Sequence, residues 1–481
     1  MFKYLVIILF LVVSETFQYG FAPSLIFAAE PKTNVIVILA DDLGWADLSC
    51  YGNPFHETPH LDQMAKEGVR FTNAYSACTV CSPTRAALLS GQYPARLRVT
   101  DWIPGHIPAN AKLNSPDWIK QLPLNTNTIA EYFSKQGYFC ASVGKWHLGN
   151  EDSYPEKHGF LVNIAGTNKG QPPSYFSPYN IATLPDGPKG EYITDRLTDE
   201  VIKLIDQNVA KPFFIYLPHF AVHTPLQAKE QLVAKYKAKA GLKTSPVYAA
   251  MLESLDESVG RIRNHLKSKK LDQNTTVIFT SDNGGLSDLF NNGTRRPGPT
   301  SNLPLRLGKG SPYEGGTRVP FIVCSSKISK AGKISKVPVM SIDILPTVLE
   351  IGLGQKPEGI SDGKSIVPAL QGAETLGRDE LFWHYPHYHP GGATPYSAVR
   401  QNNWKLIHTY EKNKFELYNL ETDPYETQDV SGSETTLVKT LSARLDAWRK
   451  DVAAQPPVPN PKYNPSIPED GTKKDQKKQG K

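Results

Sequence analysis

The sequence predicts an α/β protein built on a large, doubly wound mixed β-sheet flanked by helices. Apolar, β-branched runs alternate with helical stretches, and four of those runs end in charged or metal-ligating residues. Past residue 320 the organisation changes to shorter strand-like runs and a last amphipathic helix. Strand–helix alternation favours parallel strands joined by crossover helices, and open sheets of that kind bind ligands beyond the carboxyl ends of their strands. The four ends should therefore converge on one crevice.

The first run, Asn34–Ala40, is continuous Val, Ile and Leu, as expected of a central strand covered on both faces, and it stops at Asp41-Asp42. Residues 139–143 form a shorter run that ends at Gly144-Lys145-Trp146-His147. Phe-Phe-Ile-Tyr-Leu, between Pro212 and Pro218, leads to His219 and His223, and Thr276–Thr280 leads to Ser281-Asp282-Asn283-Gly284-Gly285. Helical signals lie between them at Leu61–Gly68, Ile129–Gly137, Thr194–Asn208 and Tyr248–Lys267. Val339–Leu349 reads as a helix packed back on the sheet. Strand-like runs follow at Ser397–Val399, Trp404–Ile407 and from Glu416, then an amphipathic helix over Thr436–Val452. The expected organisation is a leader (1–29), a catalytic α/β domain (30–375), a small α+β subdomain (376–455) and a disordered or loosely bound Pro/Lys-rich tail (456–481).

Composition sets the bounds. A chain of 481 residues with 40% hydrophobic and 21% charged content buries a large core. Its net charge of +6 is modest, and half of it comes from the tail, so nucleic acid is not an expected partner. Met1-Phe2-Lys3 followed by an apolar run from Tyr4 to Val13 reads as a secretory signal, too short for a stable membrane span, with cleavage near Ala28 or Ala29. The mature chain is expected to be secreted or periplasmic.

The stretch Thr79–Gly91 carries the chemistry. Cys81-Ser82-Pro83-Thr84-Arg85 followed by Ala-Ala-Leu-Leu reads as a helix entered from a tight turn, with Cys81 in its first turn. Unpaired N–H groups there favour an anion, and Arg85, four residues on, has a planar fork suited to a sulfate or phosphate ester. Asp41, Asp42, Asp282 and Asn283 are oxygen donors of the kind that suits Ca²⁺ or Mg²⁺ better than zinc. Lys145 and His147, one residue apart, face the same side of an extended segment.

Cys81–Arg85 resembles the C-x-P-x-R signature of the type I sulfatases of the alkaline phosphatase superfamily, and residues 137–147 resemble that family's second signature. The match runs in family order from about residue 33 to about 430. Cys140 and Ser90 depart from the usual residues without replacing a chemical group. The resemblance implies an alkaline phosphatase-like fold with a small carboxy-terminal antiparallel sheet plus helix, and sulfate-ester hydrolysis. It further implies that Cys81 is oxidised to formylglycine by a formylglycine-generating enzyme. By the same resemblance Asp41, Asp42, Asp282 and Asn283 bind one divalent cation, calcium before magnesium, with residue 81 completing the shell through the bound ester. Arg85, Lys145 and Lys309 would hold the sulfuryl oxygens, Asp282 would act as base toward the nucleophilic hydroxyl, and His223 and Lys309 would protonate the leaving oxygen. His147 would be the base that expels sulfate, while Glu314 and Arg318 would shape the Lys309 loop.

Five cysteines are an odd number for an exported chain. Conversion of Cys81 would leave Cys50, Cys78, Cys140 and Cys324, with three pairings open or all four free. The histidine-rich stretch Trp383–Gly392 is expected to be a loop lining the pocket, with His384, His387 and His389 touching a sulfated carbohydrate. Two alternatives stand beside a carbohydrate sulfatase. One is a phosphodiesterase or phosphonate monoester hydrolase of the same superfamily; Asn283, where the two-zinc relatives carry histidine, argues against their branch. The other is a catalytically inactive sugar-binding relative, against which every expected catalytic residue is present.

Overall fold

Five consecutive Val, Ile and Leu residues commit β1 (Asn34–Ala40) to the middle of an eight-stranded sheet, where the whole strand is buried. The computed structural model that shows this describes residues 32–239, 244–291, 294–326 and 330–467, with the side chains of 288–296 left aside. The expected leader and residues 468–481 of the expected tail lie outside the described residues. Among the described residues no helix is long and apolar enough to cross a membrane.

The other strands of the sheet are β2 (Val69–Phe71), β3 (Phe139–Val143), β4 (Val162–Ile164), β5 (Phe213–Pro218), β6 (Thr275–Ser281), β7 (Phe321–Ser325) and β8 (Lys333–Ser335). Their order is β8-β2-β7-β6-β1-β5-β3-β4. β1 pairs in parallel with β5 and β6, and β3 with β5 and β4, while β7 runs antiparallel to both its neighbours, which makes the sheet mixed. β2, β4 and β8, three residues each, carry no strong sequence signal and take their strand character from pairing with their neighbours, while β7, as long as β3, is not among the runs read from the sequence.

Alternation along β1 divides the core in two. Ile36, Ile38 and Ala40 face one layer, with Leu61 and Met64 of α1 (Pro59–Glu67), Leu197 and Val201 of α4 (Ile193–Gln207), and Leu252 and Leu255 of α5 (Pro246–Ser268). Val35, Val37 and Leu39 face the other, with Leu88 of α2 (Cys81–Ser90), Phe133 of α3 (Ile129–Lys135) and Val348 of α6 (Ile344–Leu353). Truncating any one of the isoleucines, leucines, Met64 or Phe133 among these to alanine costs about 2–5 kcal/mol. The expected helix at Val339–Leu349 starts late: Val339–Met340 pairs with Ala74–Tyr75 as a short strand. Asp343 accepts from the Met340 N–H and pairs with Arg378, which holds the entry extended.

The carboxy-terminal part forms a four-stranded antiparallel sheet, β9 (Glu380–Tyr385), β10 (Tyr396–Gln401), β11 (Trp404–Thr409) and β12 (Lys414–Asn419), with α7 (Thr435–Asp451) against it. Trp448 of α7 stacks on Phe382 at 4.9 Å between centroids. Residues 456–467, expected to be disordered or loosely bound, are anchored: Val458–Pro459 pairs with Leu113–Asn114, and Asn110 donates to the carbonyls of Asn464 and Ile467. Prolines there preset an extended backbone, so little further order is needed for pairing.

Candidate active site

β1, β3, β5 and β6 are mutually parallel, so their carboxyl ends lie on one edge of the sheet and bring Asp41-Asp42, Lys145 with His147, His219 with His223, and Asp282-Asn283 together. Gly144 lets β3 and β5 close at this edge: its φ is +126°, and a Cβ there would lie 2.0 Å from the Pro218 carbonyl oxygen. Asp42 itself adopts a left-handed backbone (φ +59°), a strained state that packing must hold in place.

α2 starts at Cys81, so the free N–H groups of its first turn sit at the same edge. The Cys81 thiol is buried, 3.6 Å from Asp41 Oδ1 and 3.7 Å from Lys309 Nζ. Burial pushes it up to about 12, above the pull of Lys145 and Lys309, so the unmodified side chain is a thiol. Lys145 Nζ donates to Asp41 Oδ2 at 2.7 Å. Lys309 Nζ lies 2.8 Å from Asp42 Oδ1, and His223 Nε2 lies 3.6 Å from Asp42 Oδ2. Burial opposes ionisation of Asp42, but Lys309 and His223 hold its carboxyl well below the usual range. Asp282 is raised to about 6 by burial and by Asp41, against Arg85 and Lys145.

Arg85 departs from the expectation that it faces the ester. It is fully buried, with Nε and Nη2 donating to Asp282 Oδ2 at 3.0 and 2.7 Å and Nη1 to the Lys145 carbonyl at 3.0 Å. With its fork spent on Asp282, it fixes a carboxylate in place.

The histidines divide sharply. His147 Nε2 lies 2.6 Å from the Ile103 carbonyl, which can only accept, so Nε2 carries the proton and Nδ1 is the bare nitrogen. That Nδ1 is buried and without a partner among the described residues. Burial first, then Lys145, keeps the ring neutral. His223 Nδ1 donates to the Thr224 carbonyl at 2.8 Å, leaving Nε2 toward Asp42. His219 bonds Ser258 inside the core.

Of the three histidines expected to touch substrate, His389 alone lines the cavity over Cys81. Gly310, at φ +85°, permits its approach, since a Cβ there would meet the ring at 2.2 Å. His384 and His387 are corrections. The stretch was read as a loop, but residues to Tyr385 belong to β9, whose alternation turns His384 with Phe382 toward α7; there it bonds Ser397 and the Gln455 carbonyl. His387 is buried against Thr100 Oγ1 (2.8 Å) and 3.8 Å from Asp101.

The cavity holds about 600 Å³ and is lined by Cys81, His147, His223 and Lys309 together with Trp102, Lys120, Asn168, Lys169 and other loop residues. Sequence reasoning missed that loop set, because isolated lysines and amides in loops carry no periodicity. It also missed Lys405, which is fully buried between Glu314 (2.9 Å) and Glu426 (3.0 Å). Glu426 in turn accepts from the Glu314 N–H, and Arg318 lies 3.6 Å from Glu314, so this network ties the Lys309 loop to the small sheet.

The donors present fit a hard divalent cation. Ligand atoms of Asp41, Asp42, Cys81 and His223 all lie within 4.8 Å of one another. Asn283 spends its amide N–H groups on Asp42 Oδ1 and the Gly284 carbonyl, leaving Oδ1 buried without a partner among the described residues. A buried acceptor with no donor is costly unless a cation meets it. The five cysteines are all free.

A mixed sheet with helices on both faces, an acidic cluster at its carboxyl edge and a helix amino terminus aimed at the same point define an alkaline phosphatase-like hydrolase. The chain belongs to the sulfatase family, whose model matches residues 33–354, and a second model, N-sulphoglucosamine sulphohydrolase C-terminal, matches residues 308–451. It is therefore a sulfuric ester hydrolase. A sulfatase of Formosa agariphila is 33% identical over 514 aligned positions, covering 87% of this chain and 89% of that one. The N-acetylgalactosamine-6-sulfatase of Canis lupus familiaris is 31% identical over 85% of this chain and 77% of its own. The crystal structure of Ps i-CgsB in complex with k-i-k-neocarrahexaose superposes with a TM-score of 0.73 at 31% identity, covering 88% of this chain and 94% of that chain.

Proposed function

We propose that the protein hydrolyses sulfate esters of a carbohydrate, using a formylglycine made from Cys81 and one divalent cation, calcium before magnesium, held by Asp41, Asp42, Asp282 and Asn283. The observation that carries this reading is the place of Cys81: first residue of α2, on the cavity wall, in contact with Asp41 and Lys309. A thiol raised to about 12 is a poor nucleophile, which favours a modified residue at this position. Because Cys81 is buried, a formylglycine-generating enzyme must reach it before the fold closes. The apolar leader supports export to the periplasm or cell exterior. The core of the site lies in residues 30–375, which we read as the catalytic domain; 376–455 buttress it and add His389 to the cavity wall.

The aldehyde, once hydrated, supplies a hydroxyl that attacks the ester sulfur and a second hydroxyl that lets the aldehyde re-form. The cation supplies positive charge to the sulfuryl oxygens. Lys145 and Lys309 add charge at the same point, from positions now against Asp41 and Asp42. Burial works against the Lys309 ammonium, but Asp42 raises it and keeps it charged, so a proton is held beside the departing sugar oxygen and is released only as negative charge builds there. His223, its Nδ1–H committed to the Thr224 carbonyl and its ring kept neutral by burial, turns a bare Nε2 to the site and can protonate that oxygen only after taking up a proton there. His147 accepts at Nδ1 the proton released as sulfate leaves, its tautomer set by the Ile103 carbonyl. Arg85 keeps Asp282 in register for the cation. His389 accepts from the Gly391 N–H at Nδ1, which leaves Nε2–H for a substrate oxygen.

The test has two arms. Mass spectrometry of the peptide holding residue 81 should find the aldehyde, and sulfated oligosaccharides should release sulfate while a phosphonate monoester is turned over far more slowly. Cys81→Ser, which lacks the aldehyde's exit route, should retain only trace turnover. A fully active Cys81→Ser enzyme, or preferred turnover of the phosphonate, contradicts the reading.

A further inference from the structure

We propose that the mouth of the cavity is a subsite for a second anionic group, a sulfate or a carboxylate carried by the same carbohydrate beyond the ester that is cut. The inference rests on the carbohydrate-sulfatase reading and narrows its substrate to chains bearing more than one negative charge.

The argument is one of charge placement. At the bottom of the site the fixed charges match: Arg85 lies against Asp282, Lys145 against Asp41 and Lys309 against Asp42, each within hydrogen-bonding distance. Lys120 and Lys169 stand apart from that arrangement. Both are exposed, both line the cavity, and neither has an ion-pair partner among the described residues. No aspartate or glutamate lines the cavity with them. Clefts lined by one sign of charge focus the field on a ligand of the other sign.

The two lysines also belong to one edge. The Leu122 N–H donates to the Leu148 carbonyl at 2.9 Å, and Asn168 Nδ2 donates to Asn150 Oδ1 at 2.9 Å, so the segments at 120–122, 148–150 and 168–169 run side by side. Lys120 is steadied there by the Trp118 ring, 5.4 Å from its ammonium, and that ring packs edge-on to buried His387. Trp102 lines the same cavity and supplies aromatic surface against which a sugar could pack, with Asn150 and Asn168 amides nearby for hydroxyls. A cavity of about 600 Å³ leaves room beyond the sulfated sugar for part of its neighbour. A neighbour that is neutral would leave Lys169 without an anion and Lys120 with only the buried Asp101, itself raised to about 7 by burial, near it.

The experiment compares three disaccharides that share one sulfated sugar cleaved by the wild-type enzyme and differ in its partner: a neutral hexose, a second sulfated sugar, or a uronic acid. The double variant Lys120→Gln/Lys169→Gln is measured on each for sulfate release at low and high salt. Both residues are exposed, so the fold should tolerate the change, and matching thermal denaturation checks it. The expected result is a fall in kcat/KM of about tenfold on a doubly charged disaccharide, mainly in KM, at least fivefold larger than the fall on the neutral-partner one. High salt should shrink that difference. A selective fall with the disulfated compound alone identifies a sulfate subsite, and with the uronate alone a carboxylate subsite. Equal falls on all three, or no fall on any, overturn the subsite. If the wild-type enzyme releases sulfate from aryl sulfates but from no sugar sulfate, the carbohydrate reading fails first, and this one with it.

Discussion

Replacing Arg85 by methionine removes the one group that neutralises Asp282 at contact while keeping most of the buried volume. Asp282 then sits fully buried beside Asp41, having lost donors at 2.7 and 3.0 Å, and the Lys145 carbonyl loses a third. Breaking a buried pair from one side costs about 3–5 kcal/mol. For a chain of this length the unfolding entropy is roughly 1 kcal/mol per degree, so Tm should fall by about 3–5 °C. The loss should also depend on pH. Asp282 in the intact protein is raised to about 6, so the stability lost through it as pH rises is complete a little above that value. Without Arg85 its pKa rises further, and the variant goes on losing stability through neutral pH, at about 1.4 kcal/mol per unit. Calorimetry in the presence of a chelator, which keeps bound cations out of both proteins, should show a gap between wild type and variant that is wider at pH 8 than at pH 5. A gap of under 1 °C, or one that narrows as pH rises, refutes the assignment of Arg85 to Asp282.

Other outcomes follow from the same geometry. Asp101 is raised to about 7 by burial, despite donors from Tyr385 and two backbone N–H groups, so it contributes stability below its unfolded pKa that is lost as pH rises through 7. Asp101→Asn should therefore gain in Tm relative to wild type between pH 5 and pH 8; a pH-independent difference contradicts this. Lys405→Met leaves Glu314 and Glu426 facing each other in the core, with a cost of about 3–5 kcal/mol, and by loosening the Lys309 loop should lower kcat more than it raises KM in steady-state assays. Chelation should abolish turnover and lower Tm, and calcium at about a hundred times its Kd should restore about 2.7 kcal/mol of stability, readable as a Tm rise on titration. A chelated enzyme with unchanged Tm and activity would leave Asn283 Oδ1 without its expected partner.

The sheet and its active edge were legible because their signals are local. Asn34–Ala40 has no polar residue between Asn34 and Asp41 with which to face water, and the motifs that follow the four strands are contiguous in the chain. The marginal strands were not legible, since Val69–Phe71 and Lys333–Ser335 are too short for a pattern to form. The histidine-rich stretch shows the limit most clearly. Three histidines in six residues look equivalent as letters, but a two-residue period buries His384 on the α7 side of the small sheet, Thr100 and Asp101 capture His387, and His389 reaches the cavity. Arg85 shares α2 with Cys81, but its partner, Asp282, lies 197 residues away and no local pattern announces the pairing. The same holds for Lys405 and for the lysines at the cavity mouth.

The account turns on attack at sulfur by a group at position 81, and oxygen tracing tests that step directly. Sulfate ester turned over in ¹⁸O-labelled water should give inorganic sulfate carrying one solvent oxygen and a sugar hydroxyl carrying none. Label found in the sugar hydroxyl would mean that the carbon–oxygen bond breaks, and the site described here could not be the one that acts.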